Sequence, residues 1–367
     1  MIFEERVQLA KSYYEKNQKY CDIGVFLAGF FFDIFTLSGV DDLFNVSQQI
    51  IYLIILGIFL TLEIREEVLG AVYSERWKKV WKYKVLIIHF LLGSLLSLYT
   101  IFFFKSASFL ASFLFIGIII GLLVLNELPF VQNLGLSLRT VLFSLCVGSF
   151  LAIHLPLIFG FVGWVPFLLS MILGLLITYG MFWVLQKNKL PEQIRRLKSS
   201  FLIPAIVTFV MYTNMYGLGL VPPVPLSLKY IGIYHSVQKD GADFVLKYNR
   251  PWWKFWQNGA QTFLAKPNDQ IIAFVKVFSP TSIKDQIRIN WFFDDPKQGW
   301  IKWDSIPLNI SGGREAGFRG YGLKSNYQAG DWKVIVSTSD DREIGRISFT
   351  VEPDTSLEPT EYKEDRF

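Results

Sequence analysis

The residues whose types could do chemistry fall into two sets, and the first is a scatter of polar groups inside apolar runs. Asp33 lies near the middle of one such run, GFFFDIFTL, while Glu63, His89, Asn126, Glu127, His154 and Asn214 sit closer to run ends. A carboxylate or imidazole in hydrocarbon is costly, so it persists where it faces a bundle interior or a water-filled cavity. There it can handle a proton, contact a transported species, or pair with a neighbouring helix. Both the transport or gating reading and the structural-partner reading of Asp33 stay open.

The second set lies in the polar C-terminal part. Pro251 to Trp256 reads PWWKFW, with Trp252, Trp253, Phe255 and Trp256 packed around a single lysine. Amphipathic rings at this density suit the headgroup level of a membrane. A surface for stacking sugars, a partner-binding patch and ordinary β-core are the alternatives. Further on, GGREAGFRGYGLKS (Gly312 to Ser325) combines glycines that permit close backbone approach with Arg314, Arg319 and Lys324. Gathered on one face, those cations would bind a carboxylate or phosphate. Spread along a hairpin, they would be ordinary surface charge.

Enzyme signatures are missing from the sequence. It has no GxSxG, HExxH, Walker A loop, or GxGxxG followed by an acidic residue. The histidines, His89, His154 and His235, have no metal-ligand spacing, and Cys21 and Cys146 both lie at or inside apolar runs. No metal, cofactor or disulfide framework is expected. An intramembrane enzyme stays open only because catalytic carboxylates can lack a signature.

These groups must be held by two kinds of element. The chain has 367 residues, 52% of them hydrophobic, and a mean hydropathy of +0.35. Long charge-poor runs fill it up to about Pro223, and from Ser227 charges of both signs recur every few residues. Residues from Val224 onward carry 19 basic and 18 acidic side chains, against 17 and 13 before it. The basic excess therefore belongs to the apolar part, which excludes the basic folded domain of a nucleic-acid binder.

Crossing about 30 Å of hydrocarbon takes roughly 17 to 25 apolar residues. Seven stretches qualify: Ile23 to Val40, Val46 to Leu62, Val85 to Phe104, Ser106 to Leu125, Val141 to Gly160, Trp164 to Leu185 and Phe201 to Leu220. With the N-terminus in the cytoplasm, 16 Lys and Arg fall in inside segments and only Lys105 outside. Seven crossings then place the C-terminal part outside. Glu4, Glu5 and Arg6, with no small-residue cleavage site after the first run, mark that run as a retained anchor. Arg65 to Lys84 reads either as a helix along the cytoplasmic interface or as a basic loop with anchoring aromatics. Pairs of small residues at Gly93 and Ser97, Gly117 and Gly121, and Ser170 and Gly174 allow close helix packing, within one subunit or across a homo-oligomer seam.

Beyond Lys229 the period changes to two. Ile287, Ile289, Trp291 and Phe293 alternate with polar residues, as do Ile347, Phe349 and Val351. Leu228 to His235, Ile271 to Phe278, Ile306 to Ile310 and Trp332 to Ser339 are further strand candidates. The fold class expected is a polytopic α-helical membrane bundle followed by an all-β, sandwich-like soluble domain. Its parts are a cytoplasmic amphipathic segment (1–22), a transmembrane domain (23–223), an extracytoplasmic β-sandwich (224–352) and a disordered acidic tail (353–367).

The stretch from Trp291 to Val351, with its Trp-bearing strand, GGR..GFR element and closing G.W.V.V hairpin ending in F.V, resembles a C-terminal domain of unknown function. That domain occurs in uncharacterised bacterial proteins, often behind membrane helices. Gly29 to Leu43 (GFFFDIFTLSGVDDL) is similar to the first membrane segment of multi-pass members. The resemblance implies architecture and a bacterial origin, and brings no activity. The leading expectation is a non-enzymatic inner-membrane protein whose periplasmic β-sandwich binds an envelope protein, glycan or lipid headgroup. The alternative is a transporter or lipid-handling protein using Asp33.

Overall fold

A computed structural model describes residues 40–73, 81, 83–106, 114, 117–118, 121, 135–311, 317–354 and 361–367. The chain divides into two compact units. The first holds the described residues of Met1–Phe104, Phe113–Leu155 and Pro166–Val221, and the second those of Lys105–Ser112, Pro156–Val165 and Pro222–Phe367.

Five helices are long and apolar enough to cross a membrane: α1 (Leu43–Glu67), α2 (Lys84–Ser106), α3 (Gly135–Phe159), α4 (Trp164–Gln186) and α5 (Pro191–Gly217). They cover five of the seven expected spans, so among the described residues the count is lower than seven. Ile23 to Val40, apart from its last residue, and most of Ser106 to Leu125 lie outside the described residues, as do residues 74–80 and 82 of the segment between Arg65 and Lys84. Asp42 caps α1 by accepting from the Phe44 N–H at 3.0 Å. α5 contains a π-helical turn, Lys198–Leu202, directly ahead of Pro204, whose missing N–H cannot complete an α-helical ladder.

α3 is the central helix of its unit, with 72% of its most apolar window buried against 22% for α1. Small residues set the spacing around it. A Cβ on Gly148 would sit 3.3 Å from both Phe209 and Tyr212 of α5, and Ser149 Oγ lies 3.1 Å from the Tyr212 hydroxyl. On α4, Ser170, Gly174 and Thr178 are buried at four-residue intervals, and a Cβ on Gly174 would collide with the Phe209 ring at 2.6 Å. Ser170 and Gly174 thus serve close packing of α4 on α5 within one subunit. Gly117 and Gly121 have nothing within 4 Å of an added Cβ.

Among the described residues, the second unit has eleven strands in three sheets. One sheet has the order β4 (Thr262–Ala265), β10 (Glu343–Pro353), β9 (Gly330–Thr338), β6 (Lys284–Asp295), β7 (Gly299–Ser311). A second has β1 (Ser227–Tyr234), β5 (Ile271–Phe278), β8 (Phe318–Lys324), and a third has β11 (Lys363–Arg366), β3 (Asp243–Tyr248), β2 (Ser236–Asp240). All pairs are antiparallel except β4 with β10. The β1-β5-β8 sheet is the middle layer, which explains why β5 reads IIAFVKVF without alternation: both its faces are covered. Phe274 meets the rings of Tyr234, Phe244 and Phe367 on the β11-β3-β2 side. On the other side, Gly322, paired with Ala273, leaves room for Ile289 and Ile306 of the five-stranded sheet.

Two features depart from the expected β pattern. β2 and β3 form a hairpin whose two turn residues are Gly241 and Ala242, since Asp240 pairs with Asp243; Gly241 has φ 60°, the glycine-first two-residue turn that closes a tight hairpin, and the polar β2 hides it from an alternation pattern. The expected disordered tail ends in β11, which pairs with β3, and Phe367 packs on Tyr230 at 4.5 Å. The half-buried Phe367 ring, packed among Tyr230 and Phe274, repays the ordering of a charged strand that composition alone marks as mobile.

Candidate functional site

The strongest surface feature of the β-rich unit is the loop between β3 and β4. Trp252 and Phe255 are 83% and 79% exposed, and Trp253 and Trp256 are also open to solvent. The rings gather at the tip, with Trp253 and Trp256 centroids 6.0 Å apart and Phe255 edge-on to Trp256 at 5.3 Å. They are presented by a pinned base. The Ala260 N–H donates to the Ile233 carbonyl at 2.7 Å, and Gly259, at φ 68°, lies so close to that carbonyl that a Cβ would be 2.1 Å away. Only glycine allows this approach. The Arg250 guanidinium donates to the Gln257 carbonyl across the loop, and Gln261 Nε2 donates to the Ser348 carbonyl at 2.8 Å.

The loop is also basic. From Phe244 to Asn268 the sequence has Lys247, Arg250, Lys254 and Lys266 and no Asp or Glu. Lys247 and Lys266 reach Glu364 at 3.8 Å and Asp354 at 3.7 Å. Arg250 and Lys254 have no carboxylate partner among the described residues and lie instead over Tyr248 at 4.9 Å and Trp253 at 5.3 Å. Exposed aromatics interleaved with unneutralised cations suit an amphipathic or anionic partner.

The second expected cluster does not assemble. Arg319 and Lys324 both lie on β8, but an odd spacing on a strand sends them to opposite faces. Arg319 faces the β3 side, where it donates to Asp243 Oδ1 at 3.3 Å and the Ala242 carbonyl at 3.0 Å. Lys324 faces the five-stranded sheet, buried, with Nζ 3.1 Å from Asp304 Oδ2 and 6.0 Å from the Trp303 ring. The hydrogen bond from Lys324 holds the Asp304 carboxyl below its ordinary range. Each cation is already committed to a carboxylate, and Arg314 lies outside the described residues.

Residues 284–351 match the family described as "Protein of unknown function (DUF2914)". The match runs from β6 to the body of β10, so it includes Arg319 and Lys324 and leaves out the aromatic loop. No curated protein matches the chain. Among solved structures, an immunoglobulin-like protein from Pseudomonas aeruginosa is 12% identical over 35% of this chain and 98% of that one, with a TM-score of 0.21. A GH3 beta-glucosidase from Bifidobacterium adolescentis is 11% identical over 41% of this chain and 22% of that one, with a TM-score of 0.20. At these scores neither likeness bears on fold or function.

In the helical unit, Glu63 of α1 is fully buried. Its carboxylate receives the Arg139 guanidinium of α3 and has Lys84 Nζ of α2 at 3.9 Å. Lys84 also binds Glu66, which accepts from Trp81 Nε1 at 2.6 Å, so the network ties three helices together. By sequence alone Arg139 is only a charge that helps set topology. Its place at the start of one span, with a carboxylate at the end of another on the same expected side, was the available signal. His154 and Asn214 bond within their own helices, to the carbonyls of Phe150 and Val210 at 2.8 and 2.9 Å. His89 lies half-buried on α2, and Asp33, Asn126 and Glu127 fall outside the described residues. Among the described residues no group of three or more His, Cys, Asp or Glu could hold a metal ion.

Proposed function

We propose that this chain is a non-enzymatic, multi-pass protein of the bacterial inner membrane whose periplasmic β-sandwich binds an envelope partner or ligand through the aromatic loop. The observation that carries the reading is the loop itself. Four large aromatic side chains stand exposed on a base rigid enough to hold them there, beside two cations that have no carboxylate partner among the described residues. A folded domain retains such a patch against the pull of burial where something else covers it.

The sidedness draws support from two independent lines. Basic residues concentrate between α1 and α2 and between α4 and the start of α5, the segments assigned to the cytoplasm. Residues 156–165, joining α3 to α4, fall in the same unit as 222–367. Two candidate spans, α4 and α5, separate these stretches in sequence, and an even number of crossings returns a chain to one side.

Two measurements on the full-length chain in cells test the proposal. An export-dependent reporter fused after Glu352 is expected to be active, and a cytosolic response would overturn the sidedness. A photo-crosslinking amino acid at Trp253 is expected to capture a discrete species, lost when Trp252, Phe255 and Trp256 become alanine. Equal capture with and without those rings would remove the loop as the binding surface.

A further inference from the structure

The helical unit has a lateral groove that none of these roles uses. α1 forms one wall with Ile54, Ile58 and Thr61 at helical spacing, and α3 and α4 supply Phe143 and Ile177 opposite. The space between them is about 540 Å³, within the range of sites that hold one small molecule. Gly57 lies at its middle, where an added Cβ would come within 3.5 Å of the Phe143 ring, so the missing side chain is part of the opening. Nearly all the lining is apolar. The exception in charge is Arg65, in the last turn of α1 at one end of the groove.

Arg65 is set apart from the ion network beside it. Glu63, Glu66 and Glu67 surround it in sequence, yet all three are taken by cations on other helices: Glu63 by Arg139 and Lys84, Glu66 and Glu67 by Lys84. Arg65 is exposed and has no ion pair among the described residues. These contacts, two cations shared among three carboxylates, do not include Arg65, whose exposed guanidinium stands at the mouth of the apolar channel. Ile50 and Arg65 both line the groove, and their separation of fifteen positions spans about 22 Å along the helix axis.

We propose that this groove binds one anionic phospholipid of the surrounding bilayer, with an acyl chain lying along α1 and the headgroup phosphate paired with Arg65. A planar guanidinium matches phosphate with two parallel hydrogen bonds, and its position at a helix end suits a headgroup at the hydrocarbon boundary. The apolar walls accept the tail without any unsatisfied polar group. Of the anionic amphiphiles that fit, phospholipid is the one that solvates a membrane-spanning groove at high concentration. The reading is independent of the β-rich unit and of Asp33.

The test uses the full-length protein in nanodiscs of phosphatidylcholine doped with a diazirine-tailed probe, either phosphatidylglycerol or phosphatidylcholine at equal mole fraction. Adducts are expected on α1 and α3 peptides near Ile54 and Phe143, about fivefold more with the phosphatidylglycerol probe. Arg65→Gln, a change at an exposed site, is expected to abolish that preference while tail labelling persists. Gly57→Phe, checked for unchanged thermal unfolding, is expected to remove the groove adducts. Equal labelling by the two probes, or a preference that survives Arg65→Gln, would overturn the headgroup assignment. Absence of groove adducts, with cysteines at Phe30 and Ile54 joining on oxidation, would show that the chain's own first apolar segment fills the space.

Discussion

Helices α3 and α4 have nearly the same mean hydropathy, 2.2 and 2.1 over their most apolar windows, yet 72% of one window is buried and only 33% of the other. In the β-rich unit, by contrast, burial follows strand alternation: along β9, Trp332, Val334 and Val336 are buried and Asp331, Lys333 and Ile335 between them are less so. A membrane setting for the helical unit, as proposed above, accounts for the difference. Water drives apolar side chains to one face of a strand, whereas hydrocarbon would accept them on every face of a helix. In the helical unit the interior is therefore marked by small and polar residues. Ser144, Ser149 and Gly148 on α3, and Ser170, Gly174 and Thr178 on α4, trace it better than any apolar run.

The sharpest test of that contrast is the buried pair. Arg139→Met leaves the Glu63 carboxylate buried with Lys84 at 3.9 Å as its remaining counter-charge. The expected loss is about 3–5 kcal/mol, seen as a large fall in the thermal midpoint of the purified full-length protein. The double variant Glu63→Met with Arg139→Met is expected to recover most of it, since the desolvation of both charges disappears together. If the single and double variants lose equally, the pair is not what joins α1 to α3.

A matched comparison in the β-rich unit separates its core from its exposed loop. Trp332 is fully buried, with Nε1 donating to the Gln328 carbonyl at 2.9 Å. Trp332→Ala is expected to cost about 3–5 kcal/mol in denaturant unfolding. Trp252→Ala is expected to change stability by less than about 0.5 kcal/mol while weakening capture at the loop. A large stability loss from Trp252→Ala would mean that the loop is part of the core.

Packing between α4 and α5 gives a smaller effect of the same kind. Gly174→Ala places a methyl against the buried Phe209 ring, and about 1–3 kcal/mol of destabilisation is expected. Gly180→Ala, where an added Cβ meets nothing within 4 Å, is the control and is expected to be neutral or slightly stabilising.

What the sequence made legible follows the same division. Five of the expected spans fall on α1 to α5 because length and hydropathy alone define a span. β1, β5, β6, β9, β10 and the second half of β7 were legible from β-branched and aromatic runs, while β2 and β11, whose exposed residues are mostly charged or polar, were not. The aromatic loop was legible as a cluster because four rings in six residues need no context. Its exposure was not, since that depends on Gly259 meeting Ile233 of β1, 26 residues earlier. The Arg319 and Lys324 pairing failed on parity: with the strand boundaries unknown, two cations five positions apart could not be assigned to faces.

The smallest expected effect concerns Lys324 and Asp304, the pair that took the place of the anion site. Because Lys324 lowers the Asp304 pKa in the folded protein, the native state gains from the ionised carboxyl. That gain is complete above the ordinary aspartate value of about 3.9 and disappears as pH falls through the lower folded value. Asp304 is half-exposed, so solvent screening limits the contribution to no more than about 1 kcal/mol at neutral pH. Asp304→Asn is therefore expected to lower the denaturation midpoint modestly at pH 7, and the difference from the parent chain should vanish well below pH 4. A difference that persists unchanged into acid would show that the cost comes from lost packing beside Trp303 rather than from charge. Lys324 would then be held by burial against the indole, and the carboxylate would be incidental.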